Sequence, residues 1–293
     1  MQPLISRMPG YLLQRWTGRA WLLPVSYTVS PLYACNSRCK TCFVYENKVR
    51  TLTVDEYRRI TESISQRAFW LTVSGGEPFL RPDLQQVAEV LVEGLDPSVI
   101  NFPTNGTFPE KVVEISSQLA ARSPEKKFIV NLSLDDVEHR HDEIRGFDGN
   151  WHLAMTTLAG LKAAQKEHPN LVVGIHTVIS RFNVARFPEI CDRLLALEPD
   201  SFITEIAEQR VELRTEDLDI SPKPHEYAAA VAHLQTRLRG RKPQAIAMLI
   251  AQMRAQYYRD VVRLLETGEQ IHSCFAGTTS CHILPDGKVV ACG

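Results

Sequence analysis

Short β-rich segments alternate with helical patterns between residues 25 and 206 of this 293-residue chain. The predicted strands lie at 25–29, 68–74, 98–103, 127–134, 171–179 and 201–206. Helical patterns between them begin near Thr53, which has a capping box with Glu56, and near Asp83, and they also span 109–121, 151–167 and 186–197. This alternation is typical of an α/β fold with a parallel sheet, either barrel-like or open and doubly wound.

Unusual residues follow the predicted strands directly. Ligands bind at the C-terminal ends of the strands in both of those architectures, so residues in these loops are expected to converge. The residues in question are Cys35, Cys39 and Cys42 after the first strand, Gly75, Gly76, Glu77 and Pro78 after the second, Asn105 after the third and Asp135 after the fourth.

Composition excludes several classes of function. The 33 Lys and Arg residues nearly balance the 34 Asp and Glu residues, so no global positive field points to nucleic acid. No stretch reaches the roughly 18 apolar residues of a spanning helix, and the start lacks a secretory signal pattern. With seven cysteines, the chain is therefore expected to be cytoplasmic, with thiols that serve metals or chemistry. Cys191, alone in a helical pattern, is interpreted as a buried apolar residue.

The two ends of the chain differ from the middle. Residues 1–24 form a basic, apolar N-terminal extension: Arg7, Arg15 and Arg19 are the only charged residues among the first 34. Such a segment either packs on the domain, which we favour, or lies on a membrane surface or an acidic partner. Residues 224–269 are predicted to form a helical linker of one or two long helices, with "RGRKPQ" as a weak breaker.

Residues 270–293 are predicted to form a small cysteine-rich β-hairpin module. The segment "ILPDGKVVAC" reads as strand, turn and strand, because Pro-Asp-Gly between β-branched runs is a hairpin signal. Cys274, Cys281 and Cys292 lie in this region, which suggests a role in organising a metal.

The first cysteine group has the spacing C-x-x-x-C-x-x-C. Structural zinc prefers four protein ligands, and a fourth does not lie near this group in the sequence. Thiolates also bind iron–sulfur clusters. A four-iron cluster held by three cysteines leaves one iron open to a substrate or cofactor.

This spacing after the first strand, followed by "GGEP" after the second, resembles the radical S-adenosylmethionine (radical SAM) enzymes. The resemblance implies a partial (β/α)6 TIM-like barrel for residues 25–223. It also implies a [4Fe-4S] cluster on Cys35, Cys39 and Cys42, whose open iron binds S-adenosylmethionine. Reductive cleavage of this cofactor gives a 5′-deoxyadenosyl radical that abstracts hydrogen from a substrate, with flavodoxin or ferredoxin as electron donor.

Further cofactor-binding residues follow from the same resemblance. The loop of Gly75, Gly76, Glu77 and Pro78 is expected to meet the methionyl amino group, and Asn105 lies in the next strand-end loop. In "SLDD" and "HDEIRG", Ser133 and Arg145 are candidates for the methionyl carboxylate, with Asp135 facing the ribose or the substrate. Val178 is expected to line the adenine pocket. His176, in the same strand, is interpreted equally well as a packed strand residue and as a functional one. Thr41 replaces the family's usual aromatic residue before the third cysteine, so adenine packing is assigned to Phe43 or another apolar residue.

The tail resembles the start of the auxiliary-cluster extension called SPASM, or its shorter Twitch form. Cys274, Gly287 and Cys292 fit C-x12-G-x4-C, with Cys281 inside. The resemblance implies an auxiliary [4Fe-4S] cluster and favours an oxidoreductase of the maturase type that acts on a peptide or protein. Because the family pattern continues with further cysteines whereas the chain stops at Gly293, we expect a fragment of a longer protein. The other interpretation is an auxiliary site that is incomplete or open to substrate. The alternatives are a radical SAM enzyme acting on a lipid or other small molecule, and a non-catalytic metal- or cluster-binding module.

Overall fold

The computed structural model describes residues 2–239 and 245–292, except for the side chains of residues 2–5 and 245–252. Its described strands form one sheet in the order β6-β5-β4-β3-β2-β1-β7-β8. The strands are β1 Ser26–Val29, β2 Trp70–Val73, β3 Val99–Thr104, β4 Lys127–Ser133, β5 Leu171–Ile179, β6 Ser201–Ile206, β7 Ser280–Ile283 and β8 Val289–Val290. Adjacent strands from β1 to β6 pair in parallel, as expected. The sheet is not closed, so the partial-barrel prediction is confirmed.

Helices occupy the intervals between the strands. They are α1 Gln2–Thr17, α2 Val54–Glu62, α3 Leu84–Leu95, α4 Pro109–Arg122, α5 Glu138–Arg145, α6 Asn150–Ala164, α7 Phe187–Leu195, α8 Pro224–Leu238 and α9 Ala245–Thr267. The capping box that begins α2 is formed: the Thr53 hydroxyl accepts from the Glu56 amide, and the Glu56 carboxylate accepts from the Thr53 amide at 2.9 Å. Residues 240–244, which include most of the predicted breaker, lie outside the described part of the chain.

Helix α3 continues through Gly94 and one residue beyond it, although a glycine after an apolar periodic run usually indicates the end of a helix. A Cβ on Gly94 would lie 2.4 Å from the Thr61 side chain of α2, so this glycine permits the close approach of two helices. The helix ends instead at Asp96, which adopts the left-handed conformation.

Helix α5 was absent from the prediction. Its sequence, EHRHDEIR, contains only one aliphatic residue, so no apolar periodicity marks it. The helix ends at Gly146, in the left-handed conformation at φ 57°. A Cβ there would lie 2.3 Å from the carbonyl oxygen of Arg38, which brings the end of α5 against the cysteine loop.

The tail joins the main sheet. Strand β7 pairs in parallel with β1, with Tyr27 opposite Cys281, and β8 pairs antiparallel with β7 as the predicted hairpin requires. Ile283 of β7 is 2% exposed and belongs to the same apolar core as the inner strands. The division into domains at 1–24, 25–223, 224–269 and 270–293 stays a prediction. The pairing of β7 with β1 joins the hairpin of residues 270–293 to the sheet of residues 25–223.

Polar side chains fix helix α1 to the segment that follows it and to the body of the protein. The Tyr11 hydroxyl donates to the carbonyl oxygen of Leu23 at 2.6 Å, and the Gln14 side-chain oxygen accepts from the amide of Leu22 at 2.8 Å. The Gln66 side-chain amide donates to the Tyr11 hydroxyl at 3.1 Å. Tyr11 and Gln14 are buried, whereas Trp16 is 84% exposed. Within the described residues, no helix combines the length and apolarity that crossing a bilayer requires.

Candidate active site at the carboxyl ends of the strands

The three cysteines of the first group lie in the loop after β1, with Cys39 buried and Cys35 and Cys42 half-buried, all as free thiols. Backbone pairing fixes the loop against α5. The Arg38 amide donates to the carbonyl oxygen of Arg145 at 2.8 Å, and the Lys40 amide donates to that of Ile144 at 2.9 Å.

These thiols do not surround a single metal ion. Among the described residues, the one group whose three ligand atoms lie within 4.8 Å of one another is Cys191, Asp192 and His233. The Asp192 carboxylate in that group already pairs with Arg237 at 2.8 Å. Thiolates on separate irons need no such close approach, so the donor set of the first group fits an iron–sulfur cluster.

Burial affects the chemistry of these thiols. It raises the pKa of Cys35 and of Cys42 to about 11 in the metal-free chain. The thiols are therefore protonated at neutral pH, and iron binding displaces those protons.

The GGEP loop lies directly against the chain that leads into the cysteines. The Gly76 amide donates to the carbonyl oxygen of Leu32 at 2.9 Å, and the Glu77 amide donates to that of Ala34 at 3.0 Å. A Cβ on Gly76 would lie 2.1 Å from the Ala34 oxygen, and one on Gly75, at φ +110°, would lie 2.3 Å from the Leu32 oxygen. Both positions therefore require glycine.

Glu77 is buried below this loop and fixes it to β3. Its carboxylate accepts from the Asn105 amide at 2.7 Å, the Thr104 hydroxyl at 2.9 Å and the Phe79 amide at 3.1 Å. Burial raises the pKa of the Glu77 carboxyl to about 7, while the three donors act in the opposite direction. Pro78, also buried, begins a short 3₁₀ helix at the exit of the loop.

Asn105 ties the end of β3 to the cysteine loop. Its side-chain amide donates to the Asn36 side-chain oxygen and to the Ser37 hydroxyl, both at 2.9 Å. The Asn150 side chain donates to the Asn105 carbonyl oxygen at 2.8 Å. Asn36, Ser37 and Asn150 were not singled out from the sequence, because an Asn or Ser in a loop or at the start of a helix carries no signal specific to such a contact.

Asp135 and Arg145 form a pair beside the cysteines. Arg145 Nε lies 2.9 Å from Asp135 Oδ2, and Arg145 Nη1 lies 3.8 Å from Cys39 Sγ. Asp135 Oδ1 accepts from the Val178 amide at 2.9 Å. Each Asp135 oxygen thus has a partner within the protein, and the expected contact of Asp135 with ribose or substrate stays a prediction. The Val178 amide is engaged by the same carboxylate.

A cavity of about 340 Å³ brings several predicted residues together. Those on its wall are Cys39, Cys42, Asp135, Arg145 and Val178. The sequence prediction missed further lining residues: Thr41, Glu205, Ile206, Ala207, Glu208, Arg210, Leu213 and Tyr257. The lining residues that follow β6 could have been predicted, because they lie at the C-terminal end of a strand. Tyr257 lies far along the chain on α9 and carried no signal.

Several predicted residues do not line this cavity: Cys35, Phe43, Asn105, Ser133 and the GGEP loop. Ser133 ends β4. The Phe43 amide donates to the Leu213 carbonyl oxygen at 2.9 Å, and its ring packs near that of Tyr45, with centroids 6.1 Å apart. The adenine contact expected of Phe43 stays a prediction.

A larger cavity of about 630 Å³ adjoins the first and shares Arg210 and Leu213 with it. Gly75 lies on its wall together with Cys281 and Cys292 of the hairpin. Cys274 does not line it. That residue is exposed, and its carbonyl oxygen accepts a hydrogen bond from Arg15 of α1. The structure thus brings two members of the second cysteine group to one cavity.

Comparison with known proteins agrees with this geometry. The model of the radical SAM superfamily matches residues 29–194. The mycofactocin maturase MftC of Mycobacterium tuberculosis is 29% identical over 171 residues, 57% of this chain and 40% of that protein. Pre-heme d1 synthase of Dinoroseobacter shibae is 31% identical over 166 residues, 54% of this chain and 38% of that protein.

A crystal structure of Streptococcus suis SuiB bound to its precursor peptide SuiA has a similar fold. Its TM-score is 0.68 at 14% identity, over 98% of this chain and 63% of that one. The matched region spans about two fifths of the length of the curated relatives. Since the family model covers more than half of the chain, the protein belongs to the radical SAM superfamily, whose members use a [4Fe-4S] cluster and S-adenosylmethionine.

Proposed function

We propose that this chain forms the catalytic core of a radical SAM enzyme that modifies a peptide. The observation that carries the proposal is the convergence of Cys39, Cys42 and the Asp135–Arg145 pair on one cavity at the C-terminal ends of parallel strands. Cys35, Cys39 and Cys42 are the proposed cluster ligands. When bound, the reduced cluster supplies the electron that cleaves S-adenosylmethionine and starts hydrogen abstraction from the substrate.

The residues of the chain hold and orient that cofactor. Asp135 keeps the Arg145 guanidinium beside Cys39, where its remaining N–H groups can bind the methionyl carboxylate. Glu77 and Asn105 fix the two loops that face the cysteines. Val178 and Leu213 give the cavity an apolar wall that limits access of water.

The choice of a peptide substrate rests on two observations. MftC is named as a maturase, and the structure of SuiB contains a precursor peptide. The 630 Å³ cavity beside the cofactor cavity offers room for a peptide segment near the reacting atoms. A short precursor gene next to the gene for this protein would support a peptide substrate.

A small-molecule substrate is the second candidate. It is favoured by the similarity to pre-heme d1 synthase, whose name indicates a product that is not a peptide. A binding screen of the cluster-loaded protein against candidate peptides and small molecules would separate the two. A flavodoxin or ferredoxin remains the proposed electron donor, and the cytoplasmic location stays a prediction.

Anaerobic reconstitution tests the proposed chemistry. We expect about four irons per chain and formation of 5′-deoxyadenosine when S-adenosylmethionine and dithionite are added. Cys39→Ala should abolish both results, whereas the matched variant Cys191→Ala, at a buried cysteine outside the site, should retain them. Bound zinc without cofactor cleavage would instead support a non-catalytic metal-binding module.

Contact with a membrane surface is a further part of the proposal, and the exposed face of α1 supports it. Met8, Leu12, Leu13 and Trp16 are exposed, whereas Tyr11 and Gln14 are buried and form hydrogen bonds. Tryptophan and aliphatic side chains accompanied by arginines are typical of helices that lie in the bilayer interface.

Vesicle sedimentation tests this contact. Wild-type protein should bind phosphatidylglycerol vesicles and bind phosphatidylcholine vesicles less, because the first 34 residues carry arginines and no acidic residue. A Leu12→Glu/Trp16→Glu variant should lose binding, whereas Val289→Glu, at an exposed valine of the hairpin, should keep it. Equal binding of all three proteins would refute the role of α1.

A further inference from the structure

The cofactor cavity has an aromatic wall that comes from outside the region matched by the family model. Tyr257 of α9 lines the same cavity as the cysteine loop, which contributes Cys39, Thr41 and Cys42. The matched region ends at residue 194, more than sixty residues earlier. Of the described residues that line this cavity, Tyr257 alone carries an aromatic ring.

The cysteine loop itself supplies no ring to the cavity. Thr41, the residue before the third cysteine, lines the wall with a hydroxyl and a methyl group. Phe43 on the other side of Cys42 packs near Tyr45 and lies outside the cavity. A flat ligand in this cavity would therefore find aromatic surface on α9 and not on the cysteine loop.

Packing holds Tyr257 in place. Its ring meets that of Tyr258 at 5.7 Å in an edge-on arrangement, and the Arg254 guanidinium lies 5.7 Å from the ring centroid. Tyr258 is 3% exposed and belongs to the main apolar core, which anchors this part of α9. Burial, with Glu205 and Glu208 nearby, raises the pKa of the Tyr257 phenol, so the ring is neutral.

The wall that Tyr257 shares carries both aliphatic and charged side chains. Val178, Ile206, Ala207 and Leu213 contribute aliphatic surface, and Glu205 and Glu208 contribute carboxylates near the Tyr257 phenol. Asp135, Arg145 and the cysteines line the same cavity. A ligand that carries a charged amino-acid group and a flat heterocycle with hydrogen-bonding groups finds a partner for each of them on this wall.

We propose that Tyr257 is the aromatic surface against which the adenine of S-adenosylmethionine packs. This inference rests on the proposed function, and it assigns to α9 a contact that the cysteine loop of this chain does not make. Stacking of a base on an aromatic side chain predicts a loss of roughly 5- to 150-fold in affinity when the ring is removed.

Binding measurements on the anaerobic, cluster-loaded protein test the proposal. Equilibrium dialysis gives the Kd of S-adenosylmethionine and of free methionine, and iron content with visible absorption reports the cluster separately. Tyr257→Leu should weaken S-adenosylmethionine binding at least fivefold and leave the Kd of methionine within twofold, because methionine has no adenine. Tyr257→Phe, which keeps the ring, should bind S-adenosylmethionine within about threefold of wild type.

A matched variant on the same helix separates packing from contact. Tyr258→Leu removes a neighbouring ring that is buried in the core and does not line the cavity. It should lower the Tm without weakening S-adenosylmethionine binding more than twofold. Tyr257→Leu is not comparable with wild type if it loses its cluster iron. Wild type, Tyr257→Phe and Tyr258→Leu are then compared at equal iron content. A large loss of S-adenosylmethionine affinity in Tyr257→Phe, which keeps the ring, overturns the stacking role.

The opposite results are also defined. An unchanged Kd in Tyr257→Leu, or a loss in Phe43→Leu larger than that in Tyr257→Leu, would refute the proposal while leaving the proposed function intact. Loaded wild-type protein that binds neither S-adenosylmethionine nor methionine would refute both.

Discussion

Individual side chains in the layer behind the cysteines determine how the site responds to its surroundings. His141 of α5 is completely buried, and its ring nitrogen Nδ1 lies 3.3 Å from the Asp135 amide that donates to it. Burial, with Arg145 nearby, lowers the pKa of His141 to about 3. The imidazole is therefore neutral in the folded protein and supports the residue that positions Arg145.

This histidine predicts a pH dependence of stability. The unfolded state takes up a proton near pH 6.5 that the folded state does not bind, so stability present above pH 6.5 is lost as pH falls towards 3, by up to about 1.4 kcal/mol per unit. Urea unfolding of the metal-free protein at pH 7, 6 and 5 should show a smaller loss for His141→Gln than for wild type. Parallel curves for the two proteins would contradict the assignment.

Gly76 gives a second prediction at this scale. An alanine Cβ would overlap the Ala34 oxygen, which forces the loop away from the cysteines and costs about 1–3 kcal/mol. We expect Gly76→Ala to take up less iron on reconstitution. Gly149→Ala is the comparison, because its Cβ meets no atom within 4 Å and only its positive φ of 83° is strained. Equal iron content in the two variants would argue against a steric role for Gly76.

At the scale of elements, the sheet and the hairpin act as one body. Strand β7 completes the pairing of β1, and its Ile283 lies in the common core. The local pattern of the tail predicted a hairpin correctly, because Pro-Asp-Gly between β-branched runs is a local signal. It gave no information on the partner strand, since Tyr27 and Cys281 meet across more than two hundred and fifty residues of chain.

Two cross-strand neighbours on β7 and β8 test whether the hairpin unfolds together with the main sheet. Ile283→Ala removes buried aliphatic surface and should lower the free energy of unfolding by about 2–4 kcal/mol in a single global transition. Val289→Ala, opposite it on β8 but 63% exposed, should change that value by less than about 0.5 kcal/mol. If Ile283→Ala leaves the main urea transition unchanged, the hairpin is an independent unit.

For the whole molecule, the sequence predicted the parallel sheet and the cysteine loop because both depend on local pattern. Asp135 and Glu77 were predicted as site residues for the same reason, because each directly follows a predicted strand. Helix α5 was missed because its single aliphatic residue gives no apolar periodicity. Tyr257 was missed because its place on the cavity arises from the packing of α9 against α8. Adenine packing by Phe43 or another apolar residue, expected from the position beside Cys42, stays a prediction; the pairing of the Phe43 amide with Leu213 joins residues far apart in the chain and had no local signal.

The second cysteine group allows a prediction about iron content. Cys281 and Cys292 line one cavity, whereas Cys274 does not line it, so the described part of the chain brings two of these three thiols together. We expect about four irons per chain after reconstitution, all retained in a Cys274→Ser/Cys281→Ser/Cys292→Ser variant. About eight irons in wild type and about four in the variant would show a second cluster.

The pairing of β7 with β1 also has a practical consequence for producing parts of this protein. A shortened chain that ends before residue 270 would keep every strand of the partial barrel and yet leave the backbone N–H and C=O groups along one side of β1 unpaired. Exposed strand edges of this kind recruit other chains. Self-association of such a shortened protein should therefore be attributed to the uncovered edge before any failure of the barrel to fold is considered.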